Sequence, residues 1–313
     1  MNIGRKLSAL ILPIVLVAQS VYASEKIDKT IEVTADLKLS ITVQRGEVSV
    51  SSWDKPMISI KGTLDELSEG FSIEQDGNTV RLEDKMPKRY KGSNKKGSKL
   101  TFMVPKNLTV DMDGVSSDFD IQALQGKIHL DTVSGDIQAK TLSDNIYLQT
   151  VSGDIISQSL SGDVRLDTVS GSITDSNSKG SINFTLVSGD LSSESQAKTV
   201  QADLVSGNAK LKLQQVDALE LKSVSGDLNI TLTQLTDKAS LDSVSGDITM
   251  NLPRDINAHF KIDGGPSGDI SNGLSDHKPM KAKYTRSESL QFQLGNGQAD
   301  VRISTISGDI DLK

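Results

Sequence analysis

From Asp111 to Leu252 apolar and polar side chains alternate, and no stretch shows helical spacing. Ile137-Gln138-Ala139-Lys140-Thr141 leads into Ile146-Tyr147-Leu148-Gln149-Thr150, and similar segments recur through the region. Alternation at period two, rich in β-branched residues, predicts half-buried strands. Val-Ser-Gly-Asp or a near variant punctuates it, beginning at Val115, Val133, Val151, Val169, Val187 and Val205, then at Val224, Val244 and Ile306. The first six starts lie 18 residues apart, and the next two steps are 19 and 20. Half-repeats sit nine residues on, at Leu124-Gln125-Gly126-Lys127, Leu142-Ser143-Asp144-Asn145 and Leu160-Ser161-Gly162-Asp163.

Nine is odd, so the alternation must slip once per half-repeat. The Ser-Gly-Asp turn is the expected place, because Gly reaches backbone angles other residues avoid and Asp and Ser bond the turn's own amides. Two strands and two turns make an 18-residue unit. If each unit is one coil, equal strands pair in parallel and equal turns stack, which predicts an all-β single-chain β-solenoid with strand-rich caps. Each coil adds roughly 4.8 Å. Ile137, Ile146, Leu148, Ile155, Val164, Leu166, Ile173, Ile182 and Leu191 are its expected core. An antiparallel meander or sandwich also accommodates nine-residue hairpins, but gives no reason for every second turn to be Val-Ser-Gly-Asp.

The flanks break the pattern. Leu37, Leu39, Ile41 and Val43 alternate before Gly46, and strand-like runs follow at 57–60, 71–73, 80–82, 100–104 and 108–110. Asp76-Gly77 marks a hairpin, and 64–69 reads as one helical turn. At the other end 275–289 reads as a loop, while 290–294 and 299–312 are expected to close the stack. The resulting division is 1–23 signal peptide, 24–110 capping region, 111–252 repeat solenoid and 253–313 C-terminal coils and cap. The signal reading rests on Arg5 and Lys6, the apolar run from Leu7 to Ala18, and Val21 and Ala23 at the small-residue positions of a cleavage site. It implies export, to the periplasm or to the cell surface and medium. No later segment is apolar enough to span a bilayer.

Composition narrows the chemistry. The chain has 313 residues, 36% of them hydrophobic, with 1 Trp, 4 Tyr and 6 Phe. The absence of cysteine excludes disulfides, thiolate zinc sites, iron–sulfur clusters and thiol nucleophiles. A net charge of -7 with so few aromatics argues against nucleic acid.

The strand-rich lead-in, the Val104-Pro105 step, the Ser-Gly-Asp-Ile turns at 134–137, 152–155 and 245–248, and the final Ser307-Gly308-Asp309-Ile310 resemble the bacterial putative adhesin family. The resemblance covers roughly residues 30–313. It implies exported β-strand-repeat proteins, and the family name implies adhesion. It supplies no catalytic residues.

Asp118, Asp136, Asp154, Asp190, Asp227 and Asp247 share one turn position, with Ser172 and Asn208 interrupting the row. Stacked carboxylates near one strand spacing repel, so something must offset them. The preferred reading is structural: each accepts turn amide bonds and water screens the rest. Calcium between the turns is the alternative, weakened because the turn carries one Gly rather than the Gly-rich nonapeptide of calcium-binding rolls. A glycosidase-like carboxylate pair is disfavoured, since a catalytic pair needs two different environments and a ladder repeats one. His129, His259 and His277 read as isolated. Lys85, Lys88, Arg89, Lys91, Lys95, Lys96 and Lys99 form a basic, Gly- and Ser-rich segment without an acid. It suits an anionic envelope polymer, lipid headgroups or another acidic rod, or is simply a solvated loop. Trp53 reads as a cap residue rather than a sugar platform. Rows such as Thr132, Thr150 and Thr168, or Ser223 and Ser243, are expected to form hydrogen-bonded ladders.

The sequence therefore points to an exported, non-catalytic adhesin-like binding or scaffold protein of the cell envelope, with no cofactor. Its expected partner is an envelope polymer or surface ligand. The alternative is a periplasmic component of an envelope-stress or regulatory system that binds an envelope protein, and a glycan-processing enzyme is a distant third.

Overall fold

The computed structural model describes residues 25–88, 96–284 and 286–313. The expected signal peptide, and Arg89, Lys91 and Lys95 of the basic segment, lie outside the described residues. Every regular element among the described residues is a β-strand.

The strands stack as the repeat predicts. On one wall Gln125–Thr132, Ser143–Thr150 and Ser161–Ser170 pair in parallel, matching Ile128 with Ile146 and Ile146 with Val164. On the other wall Ile137 pairs with Ile155, and Ile155 with Ile173. Partners are thus 18 positions apart on both walls. The alternation faces one set of side chains inward, where they form one continuous apolar core. The rows are volume-matched: Phe184 follows Leu166 and precedes Ala202, so the largest side chain is relieved by the smallest in the next coil. The longer steps are absorbed by register shifts between Ser195 and Thr199 and between Val216 and Ala218, leaving the walls in register.

The two slips in alternation have different causes. One falls at the Val-Ser-Gly-Asp corner, as expected. The other lies not at the half-repeat glycines alone but at Ala123, Thr141, Ser159 and Asn177, which take left-handed backbone angles with φ from 55° to 60°. That residue faces solvent or is partly covered, and lets Leu124, Leu142 and Leu160 turn inward.

Neither end follows chain order. Lys38–Trp53 lies between Asn107–Gln122 on one side and Thr79–Asp84 with Ser98–Pro105 on the other. Antiparallel strands cover this end: Met57–Thr63 on Ser98–Pro105, Lys26–Glu32 on Met57–Thr63, and Phe71–Asp76 on Thr79–Asp84. That last pair is the expected hairpin, turning at Gly77 with φ 59°. Residues 64–69 form a turn rather than a helical one: the Asp65 side chain accepts the Leu67 amide at 2.9 Å, and the Ser68 amide reaches the Asp65 carbonyl.

At the far end the expectation that 299–312 closes the stack is corrected. Ala299–Ser307 inserts between Leu228–Ser245 and Ala258–Asp263. Ile310–Leu312 likewise inserts between Ile248–Asn251 and Ile270–Asn272. The outer positions belong to the earlier Ala258–Asp263 and to Glu288–Leu294, which pairs with it antiparallel and covers that edge. Among the described residues of the polar 275–289 stretch, Met280–Lys281 pairs antiparallel with Glu288 and Ser289, and the rest is loop.

Candidate functional site

Stacking identical corners produces three parallel lines on the surface. The first is the aspartate line. The Asp118 carboxylate accepts the Asp136 amide at 3.0 Å, Asp136 accepts the Asp154 amide at 2.9 Å, and Asp154 accepts the Ser172 amide at 2.8 Å. The line continues through Ser172, Asp190 and Asn208 to Asp227, Asp247 and Asp309. The amide belongs to the next coil rather than to the turn itself, which corrects the sequence reading. Ser172 and Asn208 do not interrupt the line, because a hydroxyl or amide oxygen accepts the same bond. The Ser172 rung is the longest, at 3.4 Å.

Thr150 adds a second cross-coil tie: its hydroxyl donates to the Gly135 carbonyl at 3.1 Å, and Thr168 repeats the contact with Gly153. These threonines bond backbone of the preceding coil rather than one another. Packing at this corner requires glycine. A Cβ on Gly153 would sit 2.1 Å from the Gly135 carbonyl oxygen, and one on Gly207 2.0 Å from that of Gly189.

The second line is apolar. Val115, Val133, Val151, Val169, Val187, Val205, Val224, Val244 and Ile306 all point outward, between 37% and 55% exposed. In the sequence these residues mark the turns. The parity was available: Thr132 and Ile137 face inward, so Val133 must face out.

The third line lies on the wall beside that ridge, two residues before each Val. It carries Asp113, Asp131, Gln149, Asp167, Thr185, Asp203, Lys222 and Asp242. Partial desolvation, then the neighbouring Asp111 and Asp131 charges, raise the pKa of the Asp113 carboxyl. Between this line and the ridge runs a groove of about 420 Å³ past Val187, Val205, Val224 and Val244.

His129 is not isolated. Its ring lies between Asp111 at 2.9 Å and Asp131 at 3.2 Å and stacks on Tyr147 with centroids 5.0 Å apart. Arg165 covers the other side of Tyr147 and pairs with Asp167 at 2.7 Å. Both faces of Tyr147 are thereby occupied by protein. His259 approaches Asp300 at 3.7 Å, and His277 stacks on Phe292.

Of the described part of the basic segment, Lys85 exchanges backbone bonds with Glu69 and Gly70, Lys88 is exposed, and Lys96 and Lys99 lie beside Arg45, Gly46 and Glu47. Lys99 pairs with Glu47 at 2.7 Å, and Glu47 stands in register with Asp118. Lys99 therefore stands one strand beyond the Asp118 end of the aspartate line. Beside them is a cleft of about 480 Å³ lined by Arg45, Glu66 and Lys96 among others. Its floor is fixed by a buried network in which Arg45 approaches Asp65 at 3.4 Å and both Ser68 and Ser98 donate to Asp84. Trp53 is tied into its own turn: the indole donates to the Met57 carbonyl at 2.7 Å and Lys55 sits over the ring. Among the described residues no group of three or more His, Asp or Glu is arranged to hold a metal ion, and no helix is long and apolar enough to cross a membrane.

These features define an all-β repeat protein with a solenoid-like stack and long lateral lines of equivalent side chains. More specifically, the chain belongs to the Toastrack DUF4097 family, whose model matches residues 37–313. Solved structures similar to it include a putative adhesin from Parabacteroides distasonis, 13% identical, covering 93% of this chain and 98% of that one with a TM-score of 0.45. A putative adhesin from Bacteroides fragilis is 14% identical over 93% and 98%, with a TM-score of 0.36. A putative lipid binding protein from the first organism is 12% identical over 92% and 97%, with a TM-score of 0.35. No curated protein matches the chain.

Proposed function

We propose that the protein is an exported, non-catalytic adhesin-like binding or scaffold protein of the cell envelope, built from a capping region at 24–110, a repeat of 18-residue coils at 111–252 and terminal coils at 253–313. The observation that carries this reading is the register of the surface lines. One side-chain type recurs at one strand spacing along the stack, so many weak contacts act together on an extended partner. The carboxylates of the aspartate line share one repeated environment, each bonded to a backbone amide, which suits mechanical stacking rather than acid–base chemistry. Lys85, Lys88, Arg89, Lys91, Lys95, Lys96 and Lys99 provide an anionic-surface or partner contact. Asp118, Asp136, Asp154, Asp190, Asp227 and Asp247 are structural.

The test is protease treatment of intact cells, with fractionation and a tag after Lys313. Cleavage on intact cells supports surface display. Protection until the outer barrier is opened favours the periplasmic, partner-binding alternative, and retention in the cytoplasm sinks both.

A further inference from the structure

The apolar ridge is continuous, half-exposed and flanked on both sides by carboxylates. Over the groove, Val187, Val205, Val224 and Val244 are 42% to 49% exposed. Asp203 and Asp242 stand on the wall side, while Asp227 and Asp247 stand on the corner side. Lys222 is the one cation in that stretch of the wall line, and Glu220 pairs with it at 2.5 Å. Exposed valines in an unbroken row are an interaction surface rather than scattered surface residues. The carboxylates choose its partner. A second copy laid ridge to ridge would face acid with acid, and an anionic lipid surface would be repelled.

We infer that this ridge docks a cationic amphipathic helix, apolar stripe on the valines and basic flanks on the carboxylates to either side, Asp203 and Asp242 on the wall and Asp227 and Asp247 at the corner. The spacing favours a helix over a strand. Ridge side chains recur at about 4.8 Å. Helical neighbours three and four residues apart are about 4.5 and 6 Å apart along the axis, whereas same-face residues of a strand are about 6.6 Å apart. An 18-residue helix, about 27 Å long, covers five to six coils at roughly 4.8 Å each. This deepens the reading of the chain as a binding protein and rests on it.

The probe is a fluorescent 18-residue Leu/Lys peptide with an amphipathic helical pattern, titrated against the full mature chain. Controls are a scrambled peptide of the same composition and a Leu/Glu peptide of the same pattern. The amphipathic Leu/Lys peptide should bind, more weakly as salt rises, and the controls should not. V187T/V205T/V224T/V244T keeps β-branched side chains at exposed positions, so circular dichroism and Tm should stay as in the wild type. It should weaken binding at least about tenfold, or 1.4 kcal/mol. D203N/D227N/D247N should weaken binding and flatten its salt dependence. Equal binding of the Leu/Glu peptide, wild-type affinity in the threonine variant, or no binding of the Leu/Lys peptide overturns the inference. So does a ridge-dependent dimer, or ridge-dependent binding to phosphatidylcholine vesicles. In those cases the display reading stands or falls separately, on the protease experiment.

Discussion

The backbone amide of Asp309 donates to the carboxylate of Asp247 at 2.8 Å, although 62 positions separate them. The aspartate line thus follows the spatial order of the coils rather than the order of the chain, and it runs on to Asp269, whose amide donates to Asp309 at 3.0 Å. A side-chain acceptor at this position ties each coil to the next.

Asp136→Ala removes one acceptor and should cost about 1 kcal/mol in urea denaturation. Asp136→Asn should be close to neutral, because Asn208 already holds that position, donating its amide to Asp190 at 2.8 Å and accepting from Asp227 at 3.0 Å. Since each carboxylate is engaged with backbone, about 5 mM calcium should move the Tm by less than about 1 °C. A large calcium-dependent rise would return the line to a metal-binding role.

At Gly207 the φ of +133° and a Cβ position 2.0 Å from the Gly189 carbonyl oxygen act together. Gly207→Ala should destabilise by on the order of 3 kcal/mol or more. Wild-type stability in that variant would mean that the coils do not approach as closely as described.

Thr141 is a β-branched residue held at φ 55°, and its side chain faces solvent. Thr141→Asn should raise stability by about 0.5–1 kcal/mol, since Asn tolerates this backbone region better. Asn177 occupies the equivalent corner at φ 57°. Urea midpoints of the two proteins decide the matter, and a loss of stability would count against the strain.

Asp175 is 2% exposed in the middle of the stack. Its carboxylate accepts from Ser157 at 2.7 Å, Ser178 at 2.5 Å and Ser193 at 3.0 Å. Burial pushes its pKa above 3.8, and the serine bonds pull partly against that. A carboxyl with a raised folded pKa binds its proton more readily in the folded chain. Its contribution is therefore full below the unfolded value and is lost as pH rises through the folded one. Asp175→Asn should remove this pH dependence without lowering neutral-pH stability. Asp175→Ala leaves three hydroxyls without their acceptor and should cost about 1–3 kcal/mol. Denaturation at several pH values separates the two effects, and an Ala variant as stable as the wild type would discard the network.

Local pattern carried most of the coil. Ile146 and Leu148 face inward because alternation at period two leaves them no other face, and the spacing from Val133 to Val151 already sets which strands can pair. The same parity exposes Val133, a consequence open to anyone who follows Thr132 inward. Tertiary structure alone decided what depends on distant neighbours. Nothing near Ala299 says that its strand slips between two earlier coils, since both its edges must find partners and only the assembled stack offers them. Nor does the sequence around Lys99 show that Glu47 awaits it, or that around Asp175 that serines from the adjoining coils converge on it. A short period fixes what lies one coil away. The capped ends and the buried polar step depend on contacts the period does not encode.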